Sequence, residues 1–154
     1  MASQTFSMEK ILDWRSDLEE TAKRKVAQIQ VKLDAQQAVL EDLIRENIKV
    51  KNDRLKINKI NDMRHQQLYK ALLDEKIIHQ KNQLDLTQKE LEEAQAELLE
   101  AHKDRKVMEK LKEKELWTTA ELIKKEEQQQ LDEIATLSFG RVLYQEAFKP
   151  FERR

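Results

Sequence analysis

The sequence predicts an all-α protein, a long antiparallel two-helix coiled-coil hairpin, and three observations carry that expectation. The single Gly is Gly140 and the single Pro is Pro150, so the chain ahead of them lacks the two residues that most disfavour helix. Charged residues make up 38% of the chain and aromatic residues 5%, a balance that suits long helices and leaves little bulk for a thick core. Apolar residues recur at alternating steps of three and four in two separate stretches, which is the spacing of a coiled-coil seam. That regular return of Leu, Ile and Val also separates the chain from disordered sequences of similar charge.

Taken in order, residues 1–7 form a short lead and helix one runs over 8–57. Its seam passes through Ala22, Val26, Ile29, Leu33, Gln36, Leu40 and Leu43, with Val50 and Ile57 continuing one ladder. Upstream, Met8, Ile11 and Leu18 approach the same stripe, but Leu18, Ala22 and Val26 are separated by two steps of four, a stutter that unwinds a supercoil locally. Asn52, Asn58 and Asn61 mark a break without Gly; the turn is placed at 58–61, with Asn58 or Asn61 as a helix cap. Helix two spans 62–138, and its seam is Ile77, Leu84, Leu91 and Leu98 interleaved with Ala94, Ala101 and Met108.

Folding the chain back at that turn brings Leu33 opposite Leu84, Val26 opposite Leu91, Leu18 opposite Leu98 and Ile11 opposite Met108. A single chain can then supply both sides of the seam, so the hairpin is expected to be a monomer by itself; one continuous helix that dimerises is the rival architecture. Beyond about Leu111 helix two outruns its partner. This unpaired overhang carries Trp117, Leu122, Ile123, Leu131, Ile134 and Leu137, and a tail over 139–154 adds Phe139, Leu143, Tyr144, Phe148 and Phe151.

Basic and acidic residues number 29 and 30 and are interleaved, which argues against nucleic acid as a partner. The densest basic run, Lys23 to Lys25, follows Glu19 and Glu20 and reads as a solvated helix face. With no Cys there are no disulfides, thiolate metal sites or cysteine nucleophiles. His65, His79 and His102 are too far apart to share a metal, the closest pair standing roughly 20 Å apart on a straight helix. One Gly cannot build a phosphate-cradling loop or a nucleophile elbow, and paired carboxylates on a two-helix rod lack the water-restricted pocket that acid–base chemistry needs. Neither catalysis nor a cofactor is expected. The first residues contain Glu9, Asp13 and Arg15 and no long apolar run, so neither a signal peptide nor a membrane span is placed there, and a cytoplasmic protein is expected.

Apolar residues away from the seam are the candidates for partner contact. They fall in two places: His65, Leu68, Tyr69, Leu72 and Leu73 just past the turn, and the overhang with its tail.

Three stretches resemble the FliJ family of the flagellar type III export apparatus. They are Phe6-Ser-Met-Glu-Lys-Ile-Leu-Asp-Trp-Arg15, Met63-Arg-His-Gln-Gln-Leu-Tyr-Lys-Ala-Leu72, and Asp104-Arg-Lys-Val-Met-Glu-Lys-Leu-Lys-Glu-Lys114 followed by Gln130-Leu-Asp-Glu-Ile-Ala135. The resemblance spans residues 6–139. It implies a helical hairpin similar to the central stalk, the γ subunit, of rotary ATPases. It also implies service to the export ATPase FliI, contact with the export gate FlhA, escort of flagellar export chaperones, and a place at the cytoplasmic face of the inner membrane held only through partners. By the same resemblance, Leu68, Leu72 and His79 match the gate-contacting positions, whereas Glu75 stands where the family has a small residue. Met8, Ile11, Leu131, Ile134, Leu137 and Phe139 are the candidates for facing the ATPase. The tail from Val142 to Arg154 is longer than the family pattern. The equivalent stalk of a virulence secretion system and a plain coiled-coil spacer or tether are the alternatives.

Overall fold

The computed structural model describes residues 6–53 and 59–148. They form two helices, α1 (Glu9–Asp53, 45 residues) and α2 (Ile60–Ala147, 88 residues), with no strand among the described residues. The first turn of each helix carries an acidic residue, Glu9 in α1 and Asp62 in α2, where a negative charge meets unpaired backbone N–H groups. The chain divides into two compact units: Ile11–Lys106, and Met1–Lys10 together with Val107–Arg154.

The Ile11–Lys106 unit is an antiparallel helical hairpin. Lys25 Nζ donates to Glu97 at 2.7 Å and Lys32 Nζ to Glu90 at 3.1 Å. Farther along, the Gln80 amide donates to the Gln36 carbonyl at 2.9 Å and the Gln66 amide to the Val50 carbonyl at 3.1 Å. Partner numbers fall along α2 as they rise along α1. The last bond engages a carbonyl in the final turn of α1.

The least exposed positions follow a strict three-four cadence on both helices. On α1 they include Ala22, Val26, Ile29, Leu33, Gln36, Leu40, Leu43 and Val50, as the sequence predicts; on α2 they include Leu73, Ile77, Leu84, Leu91, Ala94, Leu98 and Ala101. Leu73 and Ala94 are only 1% exposed, and Thr87 is buried among them with its hydroxyl donating to the Gln83 carbonyl. Gly is not needed anywhere in this seam, because a slender two-helix contact is filled by ordinary Leu, Ile and Ala side chains.

Three sequence expectations need correction. The expected stutter is absent. Upstream of Ala22 the shielded positions are Leu12, Arg15 and Glu19, which continue the cadence, whereas Ile11 is 43% exposed and Leu18 is 39% exposed. The apolar residues misled here because charged residues occupy the seam and find partners on α2. Second, α2 starts at Ile60, so Asn61 is helical rather than a cap, while α1 is described as far as Asp53 and its expected end at 57 lies outside the described residues. Asn58 and Ile57 lie outside the described residues. Third, α2 does not stop at 138 but continues through Gly140 to Ala147. Gly140 does not take a positive φ, so it is an ordinary helical residue rather than a stop.

In the other unit, the lead packs against α2. Phe6 is buried, Ser7 donates from N and Oγ to the Glu115 carboxylate at 3.1 and 2.8 Å, and Lys112 Nζ donates to Glu9 at 2.9 Å. Met108 is the buried residue on the α2 side. From Leu122 onward every described residue of α2 is exposed.

A Leu33→Cys, Leu84→Cys double variant tests the hairpin directly, because Leu33 lies on the stretch of α1 bracketed by the Lys32–Glu90 and Gln36–Gln80 contacts. Mild oxidation should yield a disulfide within one chain, seen as faster migration without a doubling of mass. Crosslinking confined to pairs of chains would establish the continuous-helix dimer instead.

Candidate functional site

Two exposed faces, one in each unit, and one buried charge cluster stand out from the solvated charge around them. The first face lies on α2 within the hairpin unit. Leu68, Leu72 and His79 follow one another at steps of four and seven, so they share one side of the helix over roughly 16 Å, and all three are exposed. Leu73, grouped with them by sequence, belongs to the seam instead. Tyr69 sits between the two groups, its hydroxyl donating to the Glu46 carboxylate in a hydrogen bond that raises the phenol's pKa. Glu75 is exposed at the intermediate step of the same stripe. Leu86, seven residues beyond His79 and exposed, extends the stripe by two turns. The sequence reading missed it, although the spacing alone would have found it. His79 also borders an open groove of about 490 Å³ with Val39 and Leu43.

The second face is on distal α2, in the other unit. Leu131, Ile134 and Leu137 step by threes along one exposed side, and Leu137 is 73% exposed. Phe139 is exposed too but points away from that side, two residues being about 200° around a helix. Met8 is held near α2 by its neighbours Ser7 and Glu9, which bind Glu115 and Lys112. That places it roughly 24 Å along the helix from Leu131. Ile11 belongs to the hairpin unit. The six residues proposed to face an ATPase are therefore not one cluster: three form a stripe, Phe139 flanks it, and Met8 lies elsewhere in that unit.

The charge cluster is centred on Glu19, 3% exposed, at a seam position of α1. Its carboxylate accepts from His102 Nδ1 at 3.0 Å, from Arg105 Nε, and from Lys23 Nζ at 3.3 Å. Hydrogen bonds from His102 and Arg105, supported by Lys23, outweigh desolvation and hold its pKa down to about 2. Arg15 and Asp104 pair at 2.8 Å one turn away. Between these contacts and the Lys25–Glu97 pair runs an open groove of about 800 Å³ floored by Ala22, Ala96 and Ala101, with Leu18 on its lip. Among the described residues no group of three His, Asp or Glu could hold a metal ion. Among the described residues, no helix is long and apolar enough to cross a membrane.

Comparison with known proteins agrees with this geometry. The fold is shared with a solved YscO homolog from Chlamydia trachomatis at a TM-score of 0.72 and 20% identity, covering 93% of this chain and 99% of that one. No curated protein matches the chain. The family model described as Flagellar FliJ protein matches residues 4–143. With that match over most of its length, two helices in a hairpin, and the FliJ-like stretches lying on those helices, the chain belongs to the FliJ family of flagellar type III export proteins.

Proposed function

We propose that the chain is a non-enzymatic stalk of the flagellar export apparatus that binds the export ATPase FliI through distal α2 and promotes ring assembly and hydrolysis. The observation that carries this reading is the long stretch of α2 from Leu122 onward, which is fully exposed yet bears Leu131, Ile134, Leu137 and Phe139. A single helix is slender enough to enter the centre of a ring, and exposed apolar side chains supply contact energy once there. The stripe of Leu68, Leu72 and His79 is the proposed contact for the gate protein FlhA, with escort of export chaperones as a further role. Contact with the membrane is through these partners.

Purified FliI should hydrolyse ATP faster in the presence of the chain. Leu131→Asp with Ile134→Asp should remove that stimulation while circular dichroism shows unchanged helix content, since both residues are exposed. Leu68→Asp with Leu72→Asp should weaken gate binding and leave ATPase stimulation intact. Absence of any wild-type effect on ring assembly or hydrolysis would leave only the spacer reading, and stimulation confined to a virulence-type secretion ATPase would reassign the system.

A further inference from the structure

The exposed apolar residues of distal α2 contain a second heptad pattern, offset by one residue from the seam that faces α1. It runs Leu116, Ala120, Ile123, Glu127, Gln130, Ile134, Leu137, Arg141, Tyr144 and Phe148, at alternating steps of four and three without interruption. Leu116, Ile123, Ile134, Leu137, Tyr144 and Phe148 are all exposed, as are the polar members. An exposed heptad stripe on a regular helix is one half of a coiled coil. Its sequence specifies the other half. In a parallel pair of copies, Glu127 would lie against Glu127 and Arg141 against Arg141, burying like charges in the contact. In an antiparallel pair, the two ladders face each other, and the registers differ by whole heptads. One of these sets Ile134 opposite Leu137, Ile123 opposite Phe148, Gln130 opposite Arg141, and Glu127 opposite Tyr144. Between Ile123 and Phe148 every wholly apolar residue then meets an apolar one and every polar residue a group it can hydrogen-bond, while Leu116 and Ala120 lie outside the paired span. Glu127 and Arg141 of the opposite copy fall in adjoining layers, within reach of an ion pair. Sliding by one heptad either way instead places Leu137 against Glu127 or against Arg141.

From this self-complementarity we infer that distal α2 is an interface for a second copy of the chain, paired antiparallel about a two-fold axis near Ala135. The contact is isologous, each layer occurring twice, which is the usual form of a symmetric dimer. It covers about 26 residues, roughly 38 Å of helix. Two kinds of polar layer, each occurring twice, make it weaker than an all-apolar coiled coil and sensitive to concentration. The pairing needs no partner protein and goes beyond the stalk reading. It also covers Ile134 and Leu137, so entry into an ATPase ring requires the copies to separate.

The test uses the full chain alone, so its outcome is independent of any ATPase assay. Sedimentation equilibrium should show the mass rising from one chain toward two with concentration. Leu137→Asp should weaken pairing by about 100-fold or more without loss of helix content, because its side chain is exposed in the single chain. Glu127→Arg should weaken pairing, and adding Arg141→Glu should restore it. The natural chain has no Cys, so Gln130→Cys and Arg141→Cys variants report geometry cleanly. Mixed and oxidised, they should crosslink to each other, and neither should crosslink to itself. A chain that stays at the mass of one copy at high concentration, or self-crosslinking of Gln130→Cys alone, overturns the inference.

Discussion

Leu91→Asp should unfold the centre of the hairpin, lowering stability by about 3–5 kcal/mol and melting temperature correspondingly. Leu91 is 4% exposed and lies on α2 between Glu90 and Glu97, whose Lys partners on α1 are Lys32 and Lys25. It is thus opposite the stretch of α1 containing Val26 and Ile29. Two costs combine in the variant: the lost burial of a Leu side chain, and a carboxylate placed in the seam while the flanking Lys32 and Lys25 are engaged by Glu90 and Glu97. A two-helix contact has only a few fully buried residues, so no second layer compensates. Glu92, one residue on and exposed, supplies the control, and Glu92→Gln should stay within about 0.5 kcal/mol of the wild type. Thermal melts followed at 222 nm check both. Equal losses at the two positions would mean that the seam runs along another face of α2.

Replacing Glu19 should have the second-largest effect on the fold, although its neighbourhood contains few apolar residues. Glu19→Ala removes the acceptor shared by His102, Arg105 and Lys23 and leaves three basic groups facing one another. The expected loss near neutral pH is about 1–3 kcal/mol, the range for hydrogen bonds to a charged group whose partners keep some access to water. The pH dependence identifies the cause. Glu19's pKa is depressed in the folded chain to about 2 from an ordinary value of 4.5, so the unfolded chain binds its proton first as pH falls. Its contribution is therefore fully present above about pH 4.5 and is lost as pH drops toward 2. Wild-type stability should fall across that window more steeply than that of the Glu19→Ala variant, in urea melts at matched ionic strength. Parallel slopes would mean that the cluster is not coupled to folding.

The same cluster shows where apolar patterning stops being informative. Near Ile11 and Leu18 the sequence pattern follows hydrophobic residues and arrives at a stutter, but Arg15 and Glu19 hold the seam positions and the cadence continues. A charged residue can occupy a seam when its counter-charges come from the other helix, and those partners, Asp104 and Arg105, are more than eighty residues away in sequence. Periodicity is local and cannot contain that information. A charged seam position also fixes the alignment of two helices more narrowly than Leu against Leu, since a slip of one heptad leaves charges buried without partners.

The candidate contacts divide along a similar line. Exposure of Leu68, Leu72 and the Leu131–Leu137 stripe is legible from their position off the seam. Leu73 is not, because a residue adjacent to an outward stripe can be the first buried residue of the inward one. Likewise, Met8 shares apolar character with Leu131 and Ile134, but nothing in its spacing states that its neighbours bind α2 near Lys112 and Glu115 rather than beside that stripe.

By itself, the sequence determined that this protein is helical almost throughout, that its two helices turn back on each other, and which middle residues meet. One Gly and one Pro leave no strong interior helix breaker, and the three-four recurrence of Leu, Ile, Val and Ala can be satisfied only by burying one stripe against another. The tertiary structure decided that Arg15 and Glu19 enter the seam and that α2 passes through Gly140. The two have different physical causes. A charge in the seam depends on another element lying alongside to offer a counter-charge, whereas a side chain added at Gly140 would meet nothing within 4 Å, so that position is carried by its own helix. A lone helical Gly costs only about 1 kcal/mol relative to Ala, a deficit that a long, otherwise favourable helix absorbs, whereas an ion pair at Glu19 exists only once α2 has arrived beside it.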